Sequence, residues 1–247
     1  MISKNQVKFI RSLHQKKNRD RERLFFAEGV KVVHELLQSD FNVQEVLVQE
    51  DYLDDFQHLT DTVELTPVSE KELGQISALK TPNRILAVAE QKNPISLDGS
   101  DGLTLVFDGI KDPGNMGTIL RLADWYGAKH VVCSSDSVEA YNPKVVQASM
   151  GSLFRYVPFF TELLPFLKTQ RQEEIFLADI AGKSIYETVF PKQSIVVFGS
   201  ESHGISDNIK QLSNNQITIP SFGKAESLNV SIASAIFCHE YNRGIKK

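Results

Sequence analysis

The sequence predicts a two-domain α/β protein, with a small N-terminal α/β sandwich and a larger C-terminal domain built on a mainly parallel sheet. Three observations predict it. Short apolar runs alternate with helical periods along the chain. The stretch 91-QKNPISLDGSDG-102, rich in Pro, Gly, Ser, Asn and Asp, separates two such series and sets a boundary near residue 97. Beyond it, three strands each run into an unusual glycine- or proline-bearing loop, the place where open α/β sheets bind ligands.

Element by element, Ser3 followed by Gln6 reads as a capping box, and Ile10 and Leu13 supply an apolar stripe. A short helix is therefore expected before the basic run 16-KKNRDRER-23. A helical pattern in 28-EGVKVVHELLQ-38 is followed by strands in 43-VQEVLV-48, near 63-VEL-65 and in 85-ILAVAE-90. These form the domain expected over residues 1–97. In the domain expected over 98–247, strand 103-LTLVF-107 leads to a helix over 115–126, strand 130-HVVCS-134 to a helix over 143–150, and strands 175-IFLAD-179 and 195-IVVF-198 follow. A short strand at 217 precedes a last apolar helix expected from Ser227.

The 247 residues are 41% hydrophobic, enough to bury a core, which excludes a disordered or fibrous chain. The charged N-terminus lacks the apolar run of a signal peptide, and no stretch reaches the roughly 18 apolar residues of a membrane span, so a cytoplasmic protein is expected. Cys133 and Cys238 stand far apart, and no two histidines are spaced H-x-x-x-H, so neither a disulfide framework nor a metal site is expected.

With 27 Lys and Arg against 31 Asp and Glu, the formal net charge of −4 gives no hint of a nucleic-acid partner. Its distribution does. Among residues 1–25, Lys4, Lys8, Arg11, Lys16, Lys17, Arg19, Arg21 and Arg23 face only Asp20 and Glu22, a charge of +6 that leaves −10 on the rest. Such an arm suits a phosphate backbone; a solvated terminus is the other reading.

The loop after the first C-terminal strand, 108-DGIKDPGNMGTILRLADWYGA-128, turns tightly and is expected to open a helix at Asn115 that Gly127 ends. At about 100° per residue, Met116, Ile119, Leu120 and Ala123 share an apolar arc, while Asn115, Thr118 and Arg121 converge on another. The second loop, 195-IVVFGSESHGIS-206, has the glycine spacing of a phosphate-binding loop. Its lysine position is Ile205, however, and Glu201 would repel phosphates, which excludes that function. The third, 217-ITIPSFGKAESLNVSIASAIFCHE-240, places Ser227 and Asn229 at the mouth of a helix apolar on nearly every side. Such a helix is covered either within the chain or by a second subunit.

In this order the three loops resemble the three motifs of the SpoU/TrmH family of RNA ribose 2′-O-methyltransferases, within the SPOUT superfamily: 112-DPGNMGTILRLADWYGA-128, 196-VVFGSESHGI-205 and 219-IPSFGKAESLNVSIASAI-236. With 142-NPKVVQASMGSLFR-155 they cover most of residues 103–240. The segment 24-LFFAEGVKVVHELL-37 resembles the family's substrate-binding domain of the ribosomal-protein L30e type. The resemblance implies an S-adenosylmethionine-dependent enzyme with a deep trefoil knot in its C-terminal domain, acting as a homodimer on structured RNA, ribosomal before transfer RNA. It implies a cofactor held largely by backbone at Gly199, Ile219 and Leu228 and their neighbours Phe198, Gly204 and Pro220. Asn115 and Arg121 match the family's catalytic pair, Glu201 its second-motif acid, and Ser227 and Asn229 its polar third-motif positions. One departure is the Ser221-Phe222 that follows Ile219-Pro220, where the family has a methionine after the proline.

The RNA is expected to contact Arg11, Lys16, Lys17, Arg19, Arg21 and Arg23. An RNA-binding protein without catalysis and an ordinary nucleotide-binding enzyme are the rival readings. The intact Asn115, Arg121, Glu201, Ser227 and Asn229 weigh against the first, and the missing G-x-G-x-x-G and P-loop lysine against the second.

Overall fold

A computed structural model describes residues 2–59, 63–94, 97, 102–200 and 202–245. The chain divides into two compact units, residues 1–93 with 139–155, and residues 94–138 with 156–247. The division at 93/94 falls in the polar connection read from the sequence. The segment Glu139–Arg155, which the sequence reading places in the second domain, packs with the first.

The first unit contains α1 (Lys4–Ser12), α2 (Lys16–Glu22), β1 (Leu24–Glu28), α3 (Val30–Leu37), β2 (Val43–Gln49), β3 (Leu65–Val68), α4 (Glu70–Ile76) and β4 (Ile85–Glu90). Its sheet runs β1-β4-β2-β3, with β4 antiparallel to both neighbours and β2 parallel to β3. Ser3 caps α1 by accepting from the Gln6 N–H at 3.1 Å. The Gln6 carboxamide donates instead to Glu45, so the expected capping box is half made. Ser69 and Glu72 form a complete box at the start of α4.

Every residue of β1 is buried, because alternate side chains meet a layer on each face. Leu24 and Phe26 join Ile10, Leu13, Leu73 and Ile76, the apolar stripes of α1 and α4. Phe25 joins Phe41, Tyr141 and Phe154 in an aromatic cluster, its ring centroid 4.8 Å from that of Tyr141. The Tyr141 hydroxyl donates to the Lys92 carbonyl at 2.8 Å and accepts from the Lys92 N–H at 2.9 Å. At Gly151 the segment passes so close to α3 that a Cβ would stand 2.6 Å from the Cβ of Glu35, and φ is +98° there, so only glycine fits.

The second unit follows as β5 (Gly102–Asp108), α5 (Pro113–Tyr126) and β6 (His130–Ser134). After α6 (Pro143–Ser149), which packs on β1 in the first unit, come β7 (Phe159–Thr161), α7 (Leu163–Lys168), β8 (Ile175–Ser184), β9 (Gln193–Gly199), α8 (Asp207–Lys210), β10 (Gln216–Thr218) and α9 (Val230–Ile245). All six strands are parallel, in the order β10-β8-β9-β5-β6-β7. Val106, Val132, Ile175, Leu177, Ile195 and Val197 form one core with Leu163, Leu167 and Ile209 from α7 and α8. Phe107 and Phe198, opposite each other in register, stack at 5.2 Å, and Phe198 meets Phe237 of α9 edge-on at 5.3 Å. The helix expected from Ser227 begins at Val230, and α9 leaves Ile232 about half exposed. No helix among the described residues is long and apolar enough to cross a membrane.

Candidate active site

Because the sheet is wholly parallel, the loops after β5, β9 and β10 leave from the same edge, and the chain's order of strands reverses between β5 and β9. Asp108, the last residue of β5, accepts from the Ser206 N–H at 2.9 Å and so ties the first loop to the second.

The turn at Gly109 is fixed by the polar segment after β6. The Gly109 N–H donates to the Ser134 hydroxyl at 2.8 Å, Ser134 donates to Asp136 at 2.6 Å, and the Ile110 N–H donates to Ser137 at 3.2 Å. The Lys111 ammonium reaches the other Asp136 oxygen at 2.6 Å. Hydrogen bonds from Lys111 and then Ser134 hold the Asp136 carboxyl below the usual carboxylate range. Sequence reasoning passed over this support, though the cluster 134-SSDS-137 directly after a strand carries its signal.

Asp112, not Asn115, caps α5: its carboxylate accepts from the Asn115 N–H at 2.8 Å, with Pro113 in the first turn. Asn115 is thereby placed at the third helical position. Met116, Ile119, Leu120 and Ala123 are buried as the helical arc requires, while Asn115 and Thr118 are half-buried and Arg121 is exposed. The Thr118 hydroxyl donates back to the Gly114 carbonyl at 2.9 Å, within its own helix.

The second loop closes on itself through a pair of backbone hydrogen bonds between Ser200 and Gly204, at 3.1 and 2.9 Å. A Cβ on Gly199 would lie 1.9 Å from the Gly204 carbonyl carbon, so the turn exists only with glycine there. Phe198 is buried beneath it, Gly204 is exposed and Ile205 is buried. Glu201 lies outside the described residues.

In the third loop Ile219 and Pro220 are half-buried, residues 221–229 are exposed, Ser227 and Leu228 among them, and the segment runs in neither helix nor strand. Its backbone N–H and C=O groups are thus not committed to a ladder, which fits a ligand held largely by main chain. Asn229 caps α9, its Oδ1 accepting from the Ser231 N–H at 2.9 Å and hydroxyl at 2.6 Å. Its Nδ2 donates to Asn115 Oδ1 at 3.0 Å. The first and third loops are therefore joined through the two asparagines singled out from the sequence. No group of three or more His, Cys, Asp or Glu among the described residues is placed to hold a metal ion.

Of the expected RNA contacts, Arg11, Lys16, Lys17, Arg21 and Arg23 are exposed. Arg19 is not: it is 2% exposed, donates to the Leu13 carbonyl at 2.6 Å and pairs with Glu139. The α2 helix turns this side chain inward while its neighbours face water, so Arg19 is a structural residue.

A parallel sheet whose glycine turn, asparagine-bearing helix start and open third loop share one edge defines the class, and the chain belongs to the SpoU rRNA Methylase family, which matches residues 102–239. Residues 4–87 match the MRM3-like substrate binding domain. Over 242 residues the chain is 29% identical to the 23S rRNA (guanosine(2553)-2′-O)-methyltransferase RlmP of Bacillus subtilis, covering 96% of each. A Porphyromonas gingivalis structure ascribed to the TrmH family superimposes with a TM-score of 0.85 at 38% identity, over 98% of this chain and 99% of that one. The AdoMet-bound rRNA methyltransferase of Sinorhizobium meliloti does so with a TM-score of 0.86 at 26% identity, over 98% and 96%.

Proposed function

We propose that this protein methylates a ribose 2′-hydroxyl in structured ribosomal RNA, with S-adenosylmethionine as methyl donor. The observation that carries the reading is the Asn229–Asn115 hydrogen bond, which joins two of the three loops of an SpoU family member at the sheet edge where ligands bind. The relative in Bacillus subtilis bears the name of a ribosomal RNA 2′-O-methyltransferase over nearly the whole of both chains, which favours ribosomal over transfer RNA.

S-adenosylmethionine, when bound, would supply an electrophilic sulfonium methyl group with a thioether as the leaving group. The backbone of the second and third loops would hold it: Phe198, Gly199 and Gly204 in one, Ile219, Pro220 and Leu228 in the other. Asn115, Ser227 and Asn229 orient the ribose so that its 2′-oxygen approaches in line. Arg121 stabilises the charge developing on that oxygen and the adjoining phosphate. The delocalised guanidinium serves as an electrostatic group, and the hydroxyl proton passes to solvent.

The exposed cations Arg11, Lys16, Lys17, Arg21 and Arg23 engage RNA phosphates. A trefoil knot through the second and third loops, and a homodimer formed over the second unit, complete the reading. The exposed Trp125 of α5 and Ile232 of α9 support the dimer as apolar groups for a second copy to cover. A ribosomal RNA substrate is compatible with a cytoplasmic enzyme. Mapping 2′-O-methylation across ribosomal RNA from cells with and without this protein tests the activity. One ribose methyl disappearing in its absence is the expected result, and an unchanged map would overturn it.

A further inference from the structure

A cavity of about 180 Å³ opens in the first unit between the start of α3 and the corner before β4, lined by Val30, His34, Asp55, Phe56, Arg84 and Ile85. None of these residues has a part in the chemistry proposed above. Phe56 and Ile85 are buried and form an apolar floor, while His34, Asp55 and Arg84 are exposed and make a polar rim. The volume is close to that of an engineered cavity of about 150 Å³ that admits benzene. It is of a size to take one ring system, and its mouth is open to solvent.

Arg84 sits in the left-handed region, with φ at 54°, a conformation that side-chain-bearing residues avoid. The corner is held there by the Gln49 N–H, which donates to the Arg84 carbonyl at 2.8 Å, and by the Gly29 N–H, which donates to the Ile85 carbonyl at 3.0 Å. The result is a guanidinium lying over the Tyr52 ring, with Cζ 4.2 Å from the centroid. The same corner that joins β2 to β4 thus presents a planar cation, stacked on an aromatic ring, beside a small cavity.

Proteins hold unstacked RNA bases by stacking them on aromatic or guanidinium planes and reading their edges with polar groups. The Asp55 carboxylate only accepts hydrogen bonds. Guanine presents two adjacent donors on its pairing edge, N1–H and the exocyclic amine, where adenine and uracil present one. We infer that this cavity takes a single unstacked guanine of the substrate RNA, with Asp55 accepting from both donors and Arg84 and Tyr52 forming the stack. The inference rests on the reading that the substrate is RNA and adds to it a base-selective subsite in the first unit.

The test uses the full-length protein and fluorescent uridine nonamers carrying guanosine, inosine or uridine at the centre, with affinity read by anisotropy. Inosine lacks the exocyclic amine. The guanosine oligomer binds about tenfold more tightly than the other two, the discrimination of one good bidentate contact. Asp55→Asn removes that preference. Arg84→Gly relieves the backbone, leaves the melting temperature unchanged or raised, and weakens guanosine binding severalfold. Equal affinity for the three oligomers, or a preference that survives Asp55→Asn, would overturn the assignment. So would an Arg84→Gly protein that melts lower yet binds as before. Methyl transfer to ribosomal RNA is measured in parallel on the unaltered protein. Transfer without a guanosine preference overturns the cavity alone; preference without transfer overturns the activity alone.

Discussion

Replacing Arg19 with alanine isolates the inward-facing member of the basic arm. In the folded protein its guanidinium bonds the Leu13 carbonyl at 2.6 Å and pairs with Glu139, whose side chain is 19% exposed. Removing one partner of a buried pair costs about 3–5 kcal/mol, because the other charge stays behind without compensation. The residual exposure of Glu139 points to the lower end, about 3 kcal/mol. At roughly 4 °C per kcal/mol for a unit of this size, the melting transition of the first unit falls by roughly 10 °C. Urea unfolding of Arg19→Ala, Glu139→Gln and the double variant measures this, and the double variant recovers about half of the loss, since no carboxylate is then left unpaired. Salt titration of RNA binding gives the contrast. Neutralising Lys16, Lys17 and Arg21 lowers the slope of log affinity against log salt by about 0.7–0.9 per lost phosphate contact, whereas Arg19→Met leaves it unchanged. A stable Arg19→Ala protein with a reduced salt slope would refute the reasoning and return Arg19 to the RNA surface.

Gly199→Ala drives a Cβ into the Gly204 backbone. It should destabilise the second unit by on the order of 3 kcal/mol and abolish S-adenosylmethionine binding by calorimetry, while the first unit melts normally. Asn115→Ala and Asn229→Ala should show a coupling of about 1 kcal/mol in a double-mutant cycle on stability; strict additivity would mean that the bond between them has no energetic consequence. Asp136 has a folded-state pKa below its ordinary 3.8, so its stabilisation is present above that value and lost as the pH falls through the folded one. Asp136→Asn should therefore flatten acid unfolding below about pH 4 by less than about 1 kcal/mol, the pair being exposed.

Much of the fold was legible because periodicity and punctuation are local. The strand-to-helix passage at 103–126 stood out from spacing, and the two asparagines from their places at helix starts together with the family resemblance. What the sequence reading missed depends on partners distant in the chain. Arg19 reads as one more solvated cation until Glu139, 120 residues later, is folded against it. The segment Glu139–Arg155 carries no local sign that Tyr141 and Phe154 meet Phe25 in the first unit. β1, buried on both faces, shows no alternation to mark it as a strand. Other signals were in view but under-read: Ser69-x-x-Glu72 before α4, and Asp112-Pro113 as the start of α5 ahead of Asn115.

The most direct test of the central claim is methyl transfer itself. Purified protein is incubated with S-adenosylmethionine carrying a labelled methyl group and ribosomal RNA from cells lacking the protein, and the RNA is then hydrolysed in alkali. Label retained in an alkali-resistant dinucleotide marks a 2′-O-methyl group; it should appear with the native protein and fall at least about a hundredfold with Arg121→Ala or Arg121→Lys, while cofactor binding persists. Label released as a base-methylated mononucleotide, or undiminished transfer by Arg121→Ala, would contradict the account.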